Sequence, residues 1–398
     1  MPRILRIINR LNLGGPTFNA ALLSKHLAPD YETLLVAGTK QDSEESSSFI
    51  VQEQGLSFVE VPEMKREINP IQDWLAYQKL VKIIREFKPD IVHTHAAKSG
   101  ALGRLAAIHE KVPVIVHTFH GHVFHSYFHP LQTKIFLGIE RYLARHSDAI
   151  VAISDRQKQE LGMVHTVCPE GKIRVIPLGF DLTRFKENTS EKRRTFREYY
   201  QLEDDEIAIG IIGRLVPIKN HTMFIDAAAT ILQATKRKVR FFIVGDGESR
   251  RKLLDYCQKL RLDFTFYPDE PKKSAITFTS WRRDVDVVLA GLDIVSLTSW
   301  NEGTPVSLIE AQAAGKPIVS TDVGGIENVV LPNETAQLVE TGDTAGFAQK
   351  LSEIIESDSR RNEMSKSGWD FVKDRFHYTR LVRDMDLLYR ELLRSNQR

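Results

Sequence analysis

The chain has 398 residues, more than a single hydrophobic core usually accommodates, so two domains are expected. A net charge of +2 without a dense run of Lys or Arg argues against a nucleic-acid-binding protein. The two cysteines, Cys168 and Cys257, cannot build a disulfide framework, which favours a reducing cytoplasm. The N-terminus lacks signal-peptide features and no stretch of about 18 apolar residues occurs, so we expect membrane contact to be peripheral at most.

Strands and helices alternate through the first half of the chain. Strands are predicted at residues 4–11, 33–37, 91–94, 114–118 and 149–153. A helix is predicted over residues 16–27, and the segment VIPLGFDLTRF (175–185) is predicted to begin as the last strand. Short apolar runs between helices are typical of a parallel sheet that is covered on both faces.

The second half repeats this alternation after a charged, helix-rich connector at 187–206. Strands are predicted at residues 207–212, 240–244, 276–279, 294–298 and 318–320, with helices at 221–235 and 249–260 and two more after about residue 345, the last at 378–393. The pattern predicts two Rossmann-like, doubly wound α/β domains with parallel sheets that face a cleft. Their predicted bounds are residues 1–186 and 187–376, followed by a final helix at 377–398. In such sheets, ligands bind beyond the carboxyl ends of the strands.

The glutamate segment, residues 301–325 (NEGTPVSLIEAQAAGKPIVSTDVGG), is predicted to form a loop, a capped helix and a buried strand. Thr304 suits the N-cap, Pro305 the first helical position, and Gly315 the residue just past the helix end. The sequence therefore predicts a helix whose N-terminus opens from a loop at the edge of the second sheet.

Two glutamates flank this predicted helix start. Glu302 lies in the loop, and Glu310 lies within an apolar helix, where it needs a hydrogen-bond donor from the protein or from a ligand. Free backbone N–H groups at residues 303–306 suit an anion such as pyrophosphate, and carboxylates suit the hydroxyls of a polyol. A sugar joined to a nucleotide diphosphate offers both groups. The alternative is one Glu that compensates the helix dipole and one in an incidental salt bridge.

The motif GRLVPIKN (213–220) follows a predicted strand and places two cations around a turn. Arg214 supplies a planar fork for phosphate oxygens, and Lys219 supplies a point charge. If the two side chains converge, they would neutralise a diphosphate and stabilise it as a leaving group. The alternative is a pair of solvated surface cations.

Two glycine-containing turns give weaker signals. Gly14 and Gly15 follow the first strand, where glycine allows a backbone to approach a ligand closely, although an ordinary tight turn is equally expected. The dinucleotide-binding pattern G-x-G-x-x-G is absent from this turn. GDG (245–247) is predicted to be a turn only.

Eleven of the thirteen histidines precede residue 170. Five lie in HTFHGHVFHSYFH (117–129): His117, His120, His122, His125 and His129. His120 and His122 follow a strand, and His93 and His95 end another, so we expect them to line one rim. One histidine that binds substrate is one interpretation and a metal site is another, although no carboxylate or cysteine is placed to complete a metal cage.

The segment LQTKIFLGIERYLARH (131–146) has the pattern of an amphipathic helix with aromatic side chains beside Lys and Arg. One interpretation is a helix that packs on the sheet. The other is a docking face for a lipid-linked acceptor at a membrane surface.

These motifs together resemble the retaining glycosyltransferases of family 4, which have the GT-B fold. The resemblance rests on the GG turn at 14–15, TFHG at 118–121, VIPLGFDLTRF, GRLVPIKN, the glutamate pair and DVGGIENVV at 322–330. It implies transfer with retention, without a metal or other cofactor, from a nucleotide-sugar to a glycan or polyprenyl-linked acceptor in cell-surface polysaccharide synthesis. The family's usual donor makes uridine the expected base. The second domain would hold mainly the donor, and the first mainly the acceptor.

The resemblance also implies roles for single residues. The catalytic set would be His120, Arg214, Lys219 and Glu302. The donor-binding set would be Gly14, Gly15, Gly213, Arg282, Gly303, Thr304, Pro305, Val306 and Glu310. In this scheme Glu302 contacts the transferred sugar, Glu310 the ribose, and His120 the sugar near the reacting carbon. Arg214 and Lys219 bind the diphosphate, and Arg282 lies beside the base.

Two departures from the family pattern concern other parts of the chain. Pro16 and Thr17 follow the GG turn, where relatives often have an acidic residue, and 332–343 lacks a glycine that relatives commonly have. The rival functions are a nucleotide-sugar epimerase or a phosphorylase of the same fold, or a non-catalytic nucleotide-sugar-binding subunit. A phosphorylase would need a pyridoxal-bound lysine, and the intact set of cations and glutamates favours an active enzyme.

Overall fold

The computed structural model describes residues 1–11, 15–39, 48–65, 67–120 and 130–396. The chain divides into two units: unit 1 comprises Met1–Phe180 and Phe376–Arg398, and unit 2 comprises Asp181–Arg375. The division therefore falls at residues 180 and 181, whereas the sequence prediction placed it near residue 186.

Unit 1 is built on seven parallel strands in the order β3-β2-β1-β4-β5-β6-β7. The strands are β1 Arg3–Arg10, β2 Glu32–Gly38, β3 Val59–Val61, β4 Ile91–His95, β5 Val114–Thr118, β6 Ala149–Ala152 and β7 Ile173–Val175. The helices are α1 Gly15–His26, α2 Ser48–Glu53, α3 Pro70–Phe87, α4 Ala97–His109, α5 Pro130–Arg145 and α6 Asp155–Gln159, and a last helix from the end of the chain, Tyr378–Ser395, which is numbered α15 below. The strand order runs outward in both directions from the β1–β4 pair, as in a doubly wound sheet.

Helix Tyr378–Ser395 belongs to the core of unit 1. Its residues Leu381, Met385 and Leu388 are buried in the same hydrophobic cluster as Ile4 of β1 and Val116 of β5. Most strand residues are buried because helices cover both faces of the sheet, and the buried ones include polar residues such as Arg6 and His93. The last helix therefore completes the first unit.

Unit 2 repeats the architecture with seven parallel strands in the order β10-β11-β9-β8-β12-β13-β14. The strands are β8 Ile207–Ile212, β9 Val239–Val244, β10 Phe264–Phe266, β11 Ile276–Ser280, β12 Ile294–Leu297, β13 Ile318–Thr321 and β14 Ala336–Val339. The helices are α7 Thr189–Tyr199, α8 His221–Ala234, α9 Arg250–Lys259, α10 Val285–Gly291, α11 Val306–Ala313, α12 Thr344–Glu356, α13 Asp358–Met364 and α14 Gly368–Phe376, followed by α15 Tyr378–Ser395 of unit 1. The predicted α/β class with two doubly wound parallel sheets is confirmed.

The start of α11 differs from the sequence prediction. The helix begins at Val306, one residue later than predicted, and Pro305 is its cap with φ −74° and ψ 96°. Because this ψ is extended and no side chain caps the helix, Thr304 as N-cap was wrong. Gly315 follows the helix with φ +65°, as its left-handed position requires, so that part of the prediction is confirmed.

The other differences lie in short or interrupted elements. Four helices, α12 to α15, stand where two were predicted after about residue 345. One of the breaks lies between α12 and α13 at Ser357, whose side chain accepts a hydrogen bond from the Arg360 N–H. Strands β3, β10 and β14 were not predicted, and all three are edge strands of their sheets. No helix among the described residues is long and apolar enough to cross a membrane.

Candidate functional site

Strands β8 and β12 are neighbours in the sheet of unit 2, and the loops at their carboxyl ends bring Lys219 and Glu302 together. Lys219 Nζ donates a hydrogen bond to Glu302 Oε1 at 2.5 Å, and Ser299 Oγ donates to the same oxygen at 2.5 Å. Glu302 is only 8% exposed. The cation and the carboxylate that the sequence assigned to two parts of one ligand therefore form an ion pair with each other.

Hydrogen bonds between the two loops hold this pair in place. The Trp300 N–H donates to the Ile218 carbonyl at 2.9 Å, and Thr298 Oγ1 donates to the Asn220 carbonyl at 2.9 Å. These bonds attach the turn after β8, which ends at Lys219, to the loop that leads into the glutamate segment. The distance between the two charged groups is thus set by backbone contacts as well as by their attraction.

Two glycines of the DVGG sequence pack against the backbone of Glu302 and Gly303. The Gly325 N–H donates to the Glu302 carbonyl at 3.0 Å. A Cβ on Gly324 would lie 1.9 Å from the Glu302 carbonyl oxygen, and a Cβ on Gly325 would lie 1.9 Å from the Gly303 carbonyl oxygen. Only glycine allows this approach. Gly303 itself is open: no heavy atom of the described chain lies within 4 Å of where its Cβ would be.

The GDG segment has a support role that the sequence did not indicate. A Cβ on Gly245 would lie 2.0 Å from the Gly213 carbonyl oxygen, and one on Gly247 would lie 2.5 Å from the Leu215 carbonyl oxygen. Both glycines also have positive φ, at 138° and 156°. The GDG segment therefore packs directly on the GRLVPIKN turn and is more than a chain reversal.

Arg214 lies in the same turn but does not contact Lys219. Its side chain is exposed and makes no hydrogen bond or ion pair with any residue in the described part of the chain. Gly213 lies next to it, and a Cβ there would be 3.8 Å from Lys219 Cε. Arg214 is thus available to an anion, whereas Lys219 already has a carboxylate partner.

Glu310 in α11 is 9% exposed and faces Arg184, whose Nη2 lies 3.6 Å from Glu310 Oε1. Burial raises the pKa of Glu310 to about 7, and Asp286 adds to this rise while the Arg184 guanidinium opposes it. Arg184 is therefore the charge partner of this buried carboxylate, at ion-pair distance rather than hydrogen-bond distance. Sequence reasoning noted the motif VIPLGFDLTRF but missed this residue, although it is the only cation in that motif.

Arg282 is held by groups of its own unit. Its Nε and Nη2 donate to the two carboxylate oxygens of Asp284 at 2.8 and 2.5 Å, and its guanidinium lies 5.4 Å from the ring centroid of Tyr199 and 5.9 Å from that of Tyr200. Its role beside a base stays a prediction. Thr304 and Val306 are half-buried at the start of α11.

In unit 1, the histidines at the ends of β4 and β5 form one buried cluster around Arg6 of β1. Arg6 Nη1 lies 3.0 Å from His93 Nδ1 and 3.4 Å from His95 Nε2. His95 Nδ1 in turn lies 2.8 Å from His120 Nε2. Burial lowers the pKa of His120 to about 3 and lowers the pKa values of His93, His95 and His117 well below 6.5. His93, His95 and His120 thus lie together as expected, but His93 and His95 are fully buried and do not line an open rim.

Some of the residues singled out in the sequence lie outside the described part of the chain. Gly14, His122, His125 and His129 lie outside the described residues, as does the Gly121 end of TFHG. Gly15 opens α1, and a Cβ there would lie 2.8 Å from Leu178 Cδ1. Among the described residues, no group of three or more His, Cys, Asp or Glu side chains is placed to hold a metal ion.

Helix α5 has a buried face and an exposed apolar face, while its role as a docking face for a lipid-linked acceptor stays a prediction. Leu143 and Ala144 are buried in unit 1, whereas Ile135, Ile139 and Tyr142 are 56%, 42% and 49% exposed. The spacing of these three residues, four and then three, places them on one face of the helix. The helix thus packs by one face and presents an apolar stripe on another.

Two family models match the chain. Residues 13–184 match the model described as Glycosyltransferase Family 4, and residues 206–357 match the model described as Glycosyl transferases group 1. Together they span most of units 1 and 2.

Among similar proteins is the UDP-Gal:alpha-D-GlcNAc-diphosphoundecaprenol alpha-1,3-galactosyltransferase of Escherichia coli, 30% identical over 84% of this chain and 83% of its own. The capsular polysaccharide biosynthesis glycosyltransferase CapM of Staphylococcus aureus is 24% identical over 84% and 85%. In fold, the chain is similar to Anabaena Alr3699/HepE, solved with UDP and glucose, with a TM-score of 0.80 at 18% identity over 98% of this chain and 100% of that one.

Proposed function

This chain belongs to the family 4 and group 1 glycosyltransferases and has their GT-B fold, and from this premise we propose its reaction. It transfers a hexosyl or N-acetylhexosaminyl group, with retention, from a UDP-sugar to a glycan or polyprenyl-linked acceptor in cell-surface polysaccharide synthesis. The names of the relatives support this choice: one uses a UDP-sugar and a diphosphoundecaprenol-linked acceptor, and another serves capsular polysaccharide synthesis.

The observation that carries the proposal is the ion pair between Lys219 and Glu302, 2.5 Å apart at the carboxyl ends of neighbouring strands. A nucleotide-sugar carries the two groups that can replace the partners of this pair. Its diphosphate attracts Lys219, and the hydroxyls of its sugar donate to Glu302. Donor binding would therefore exchange one internal ion pair for two contacts to the donor, with the open backbone at Gly303 alongside.

The chemistry follows from where the cations lie. The bond between the sugar's anomeric carbon and the diphosphate oxygen breaks, and the acceptor oxygen bonds to that carbon from the same face. The acceptor's proton passes to the departing phosphate oxygen. Lys219, the exposed Arg214 and the N-terminus of α11 stabilise the charge that develops on the diphosphate, so the reaction does not require a metal.

The other predicted residues fit around this reaction. Glu310, with Arg184 as its partner, would accept hydrogen bonds from the ribose hydroxyls. His120 would contact the transferred sugar near the reacting carbon, and Arg282 would lie beside the base.

The acceptor side of the proposal includes a membrane. The exposed stripe of Ile135, Ile139 and Tyr142 on α5, flanked by the exposed Lys134 and Arg145, suits the boundary of an anionic lipid surface. We therefore place the enzyme in the cytoplasm, at the inner face of the membrane. Sedimentation with anionic vesicles should be weakened several-fold when all three apolar residues are changed to Ser, and equal sedimentation of the triple variant would contradict this placement.

The reaction is tested by two steps on the full chain. A thermal-shift screen against nucleoside-diphosphate sugars should identify a donor that raises the melting temperature, since a ligand that binds only the folded state stabilises it. Transfer to a polyprenyl-diphosphate sugar should then give a product whose anomeric configuration, read by NMR, equals that of the donor. An inverted product would exclude the retaining mechanism.

The rivals give different results in the same assays. An epimerase turns the donor over without an acceptor, a binding subunit binds the donor without turnover, and a phosphorylase shows pyridoxal absorbance.

Lys219→Ala should lower transfer by at least about 100-fold, the scale of losing one charge-stabilising group. Lys252→Ala removes an exposed lysine of the same unit and should leave transfer unaffected. Near-normal transfer by Lys219→Ala would overturn the assignment.

A further inference from the structure

The guanidinium of Arg6 is fully buried in the sheet of unit 1 and is surrounded by neutral groups. Its Nε donates to Ser24 Oγ at 3.2 Å, and its Nη1 lies within hydrogen-bond distance of His93, His95 and the Tyr389 hydroxyl. No carboxylate in the described chain forms an ion pair with it, and its Nη2 has no hydrogen-bond partner there. A cation buried in this way has to be solvated by the lone pairs of its neighbours.

This requirement determines where the protons of the histidines lie. A guanidinium carries only N–H donors, so the ring nitrogens that face it must be unprotonated acceptors. His95 faces Arg6 with Nε2, and a neutral imidazole has one proton, so that proton is on Nδ1. His95 Nδ1 therefore donates to His120 Nε2, 2.8 Å away, and the proton of His120 must be on its own Nδ1.

A second set of hydrogen bonds, around His93, determines the position of its proton in the same way. His93 faces Arg6 with Nδ1 at 3.0 Å, so its Nε2 carries the proton and donates to Thr118 Oγ1 at 2.7 Å. Tyr389, from the last helix, also contacts His93 Nδ1 at 2.5 Å. The three strands β1, β4 and β5 thus present one connected set of hydrogen bonds, with Arg6 as its only obligatory donor.

The chain of bonds ends at a free donor. His120 Nδ1 is buried and has no hydrogen-bond partner among the described residues. From these contacts we propose that Arg6 and His95 are positioning residues, which fix His120 as an Nδ1–H donor aimed at an oxygen of the transferred sugar. The proposal rests on the function proposed above, in which His120 contacts that sugar.

Two consequences distinguish this role from acid–base catalysis. Burial lowers the pKa of His120 to about 3, so the ring stays neutral through the physiological range and donates without transferring its proton. Its other nitrogen is occupied by His95, so the ring has one orientation and one tautomer. His120 then complements Glu302: one side chain only donates to the sugar, and the other only accepts from it.

The test exchanges the group at residue 95 for two isosteric side chains. In His95→Gln, the amide oxygen accepts from Arg6 and the amide nitrogen donates to His120 Nε2, so the relay is preserved. In His95→Glu, the carboxylate only accepts, so His120 must place its proton on Nε2 and present a lone pair at Nδ1. The new carboxylate also pairs with Arg6, so loss of folding is not the expected result, and thermal unfolding of both variants checks this.

The spectroscopic readout is the tautomer of His120. In protein labelled with ¹⁵N-histidine, long-range ¹H–¹⁵N correlations should show Nδ1 protonated and Nε2 unprotonated in the wild type and in His95→Gln. The pattern should reverse in His95→Glu. The signal of His120 is assigned by its loss in His120→Gln. An Nε2–H tautomer in the wild type, or the same tautomer in both variants, would overturn the relay.

The kinetic readout is transfer at saturating acceptor. His95→Glu should have a kcat about 10-fold to 100-fold below that of His95→Gln, the scale of one buried donor left without its bond. Equal kcat values for two variants with opposite tautomers would overturn the role in catalysis. If the wild type transfers no sugar at all, the proposed reaction fails while the tautomer experiment still decides whether the relay exists.

Discussion

The two units share one architecture but differ in how they partner the charged groups of their candidate sites. In unit 2, two cations face carboxylates, Lys219 with Glu302 and Arg184 with Glu310, while Arg214 stays exposed. In unit 1, Arg6 has no carboxylate partner in the described chain, and neutral histidines surround it. The same doubly wound sheet can therefore carry an exchangeable ion-pair site or a rigid hydrogen-bonded one.

This difference has a chemical meaning. An ion pair can be opened by a charged ligand, because the ligand supplies new partners for both groups. A cluster of neutral rings around a buried guanidinium offers no such exchange, and it fixes the direction of each hydrogen bond instead. Unit 2 is thus suited to a charged donor, and unit 1 is suited to orienting neutral sugar hydroxyls.

Acidification should affect the two units unequally, and we expect this to be the largest effect. Burial lowers the pKa values of His93, His95 and His117 well below 6.5 and that of His120 to about 3. Below pH 6.5 the unfolded state binds more protons, so stability falls as pH falls, by about 1.4 kcal/mol per pH unit for each histidine. Among the described residues of unit 2, His221 is the one histidine with such a shift.

Hydrogen exchange at pH 7.5 and pH 5.5, corrected for intrinsic rates, measures this comparison. Protection in β1, β4 and β5 should fall by orders of magnitude more than protection in β8, β9 and β12. Equal losses in the two sheets would show that the histidine cluster does not control the acid stability of unit 1.

Glu310 should give unit 2 the opposite pH dependence. Burial raises its pKa from 4.5 to about 7, so the folded state binds its proton more tightly, and stability falls as pH rises from 4.5 to 7. Relative to wild type, Glu310→Gln should gain up to about 3 kcal/mol of unfolding free energy between pH 5 and pH 8. Urea unfolding measures this, with the exposed Glu334→Gln as control; parallel wild-type and Glu310→Gln profiles would count against the shift.

Substitutions of Gly325 and Gly303, which lie close together in space, should distinguish structural support of the site from ligand binding. Gly325→Ala places a methyl group 1.9 Å from the Gly303 carbonyl oxygen and should cost about 1–3 kcal/mol of unfolding free energy. Gly303→Ala extends into open space and should leave stability unchanged while weakening donor binding. Thermal unfolding and donor titration of both variants test the contrast, which fails if the two variants lose stability equally.

The smallest expected effect is the coupling within the Lys219–Glu302 pair. Its side chains are 20% and 9% exposed, so the interaction is partly screened by solvent. A double-mutant cycle with Lys219→Met and Glu302→Gln should give a coupling free energy of about 1 kcal/mol in urea unfolding without donor. Additive single effects would mean that the pair contributes nothing to holding the two loops together.

The regular parts of both sheets could be predicted from the sequence. Long apolar strands such as β8 and amphipathic helices such as α15 can be predicted from local hydrophobic periodicity, which does not depend on contacts with distant residues. Strands β3, β10 and β14 were missed because they are edge strands, which are less completely buried than a short inner strand such as β12 and so carry a weaker apolar pattern. The break at Ser357 was not predicted either, because it depends on a single capping side chain between two helices.

The candidate site was predictable in its residues but not in its contacts. Glu302 and Lys219 were identified separately, yet their ion pair depends on β8 lying beside β12, which local patterns do not contain. Arg184 was missed because its partner Glu310 is more than a hundred residues away along the chain. Thr304 was chosen as a cap by residue type, whereas the extended ψ of Pro305 delays the helix by one residue.

The return of the last helix to unit 1 has a consequence for biosynthesis. The core around Ile4 and Val116 includes Leu381 and Met385, so unit 1 cannot be completed until residues 378–395 have been synthesised. Unit 2 is continuous in sequence from Asp181 to Arg375 and can finish folding earlier. During translation, the unit made first is thus the one completed last, and its exposed apolar surface is what chaperones would have to protect.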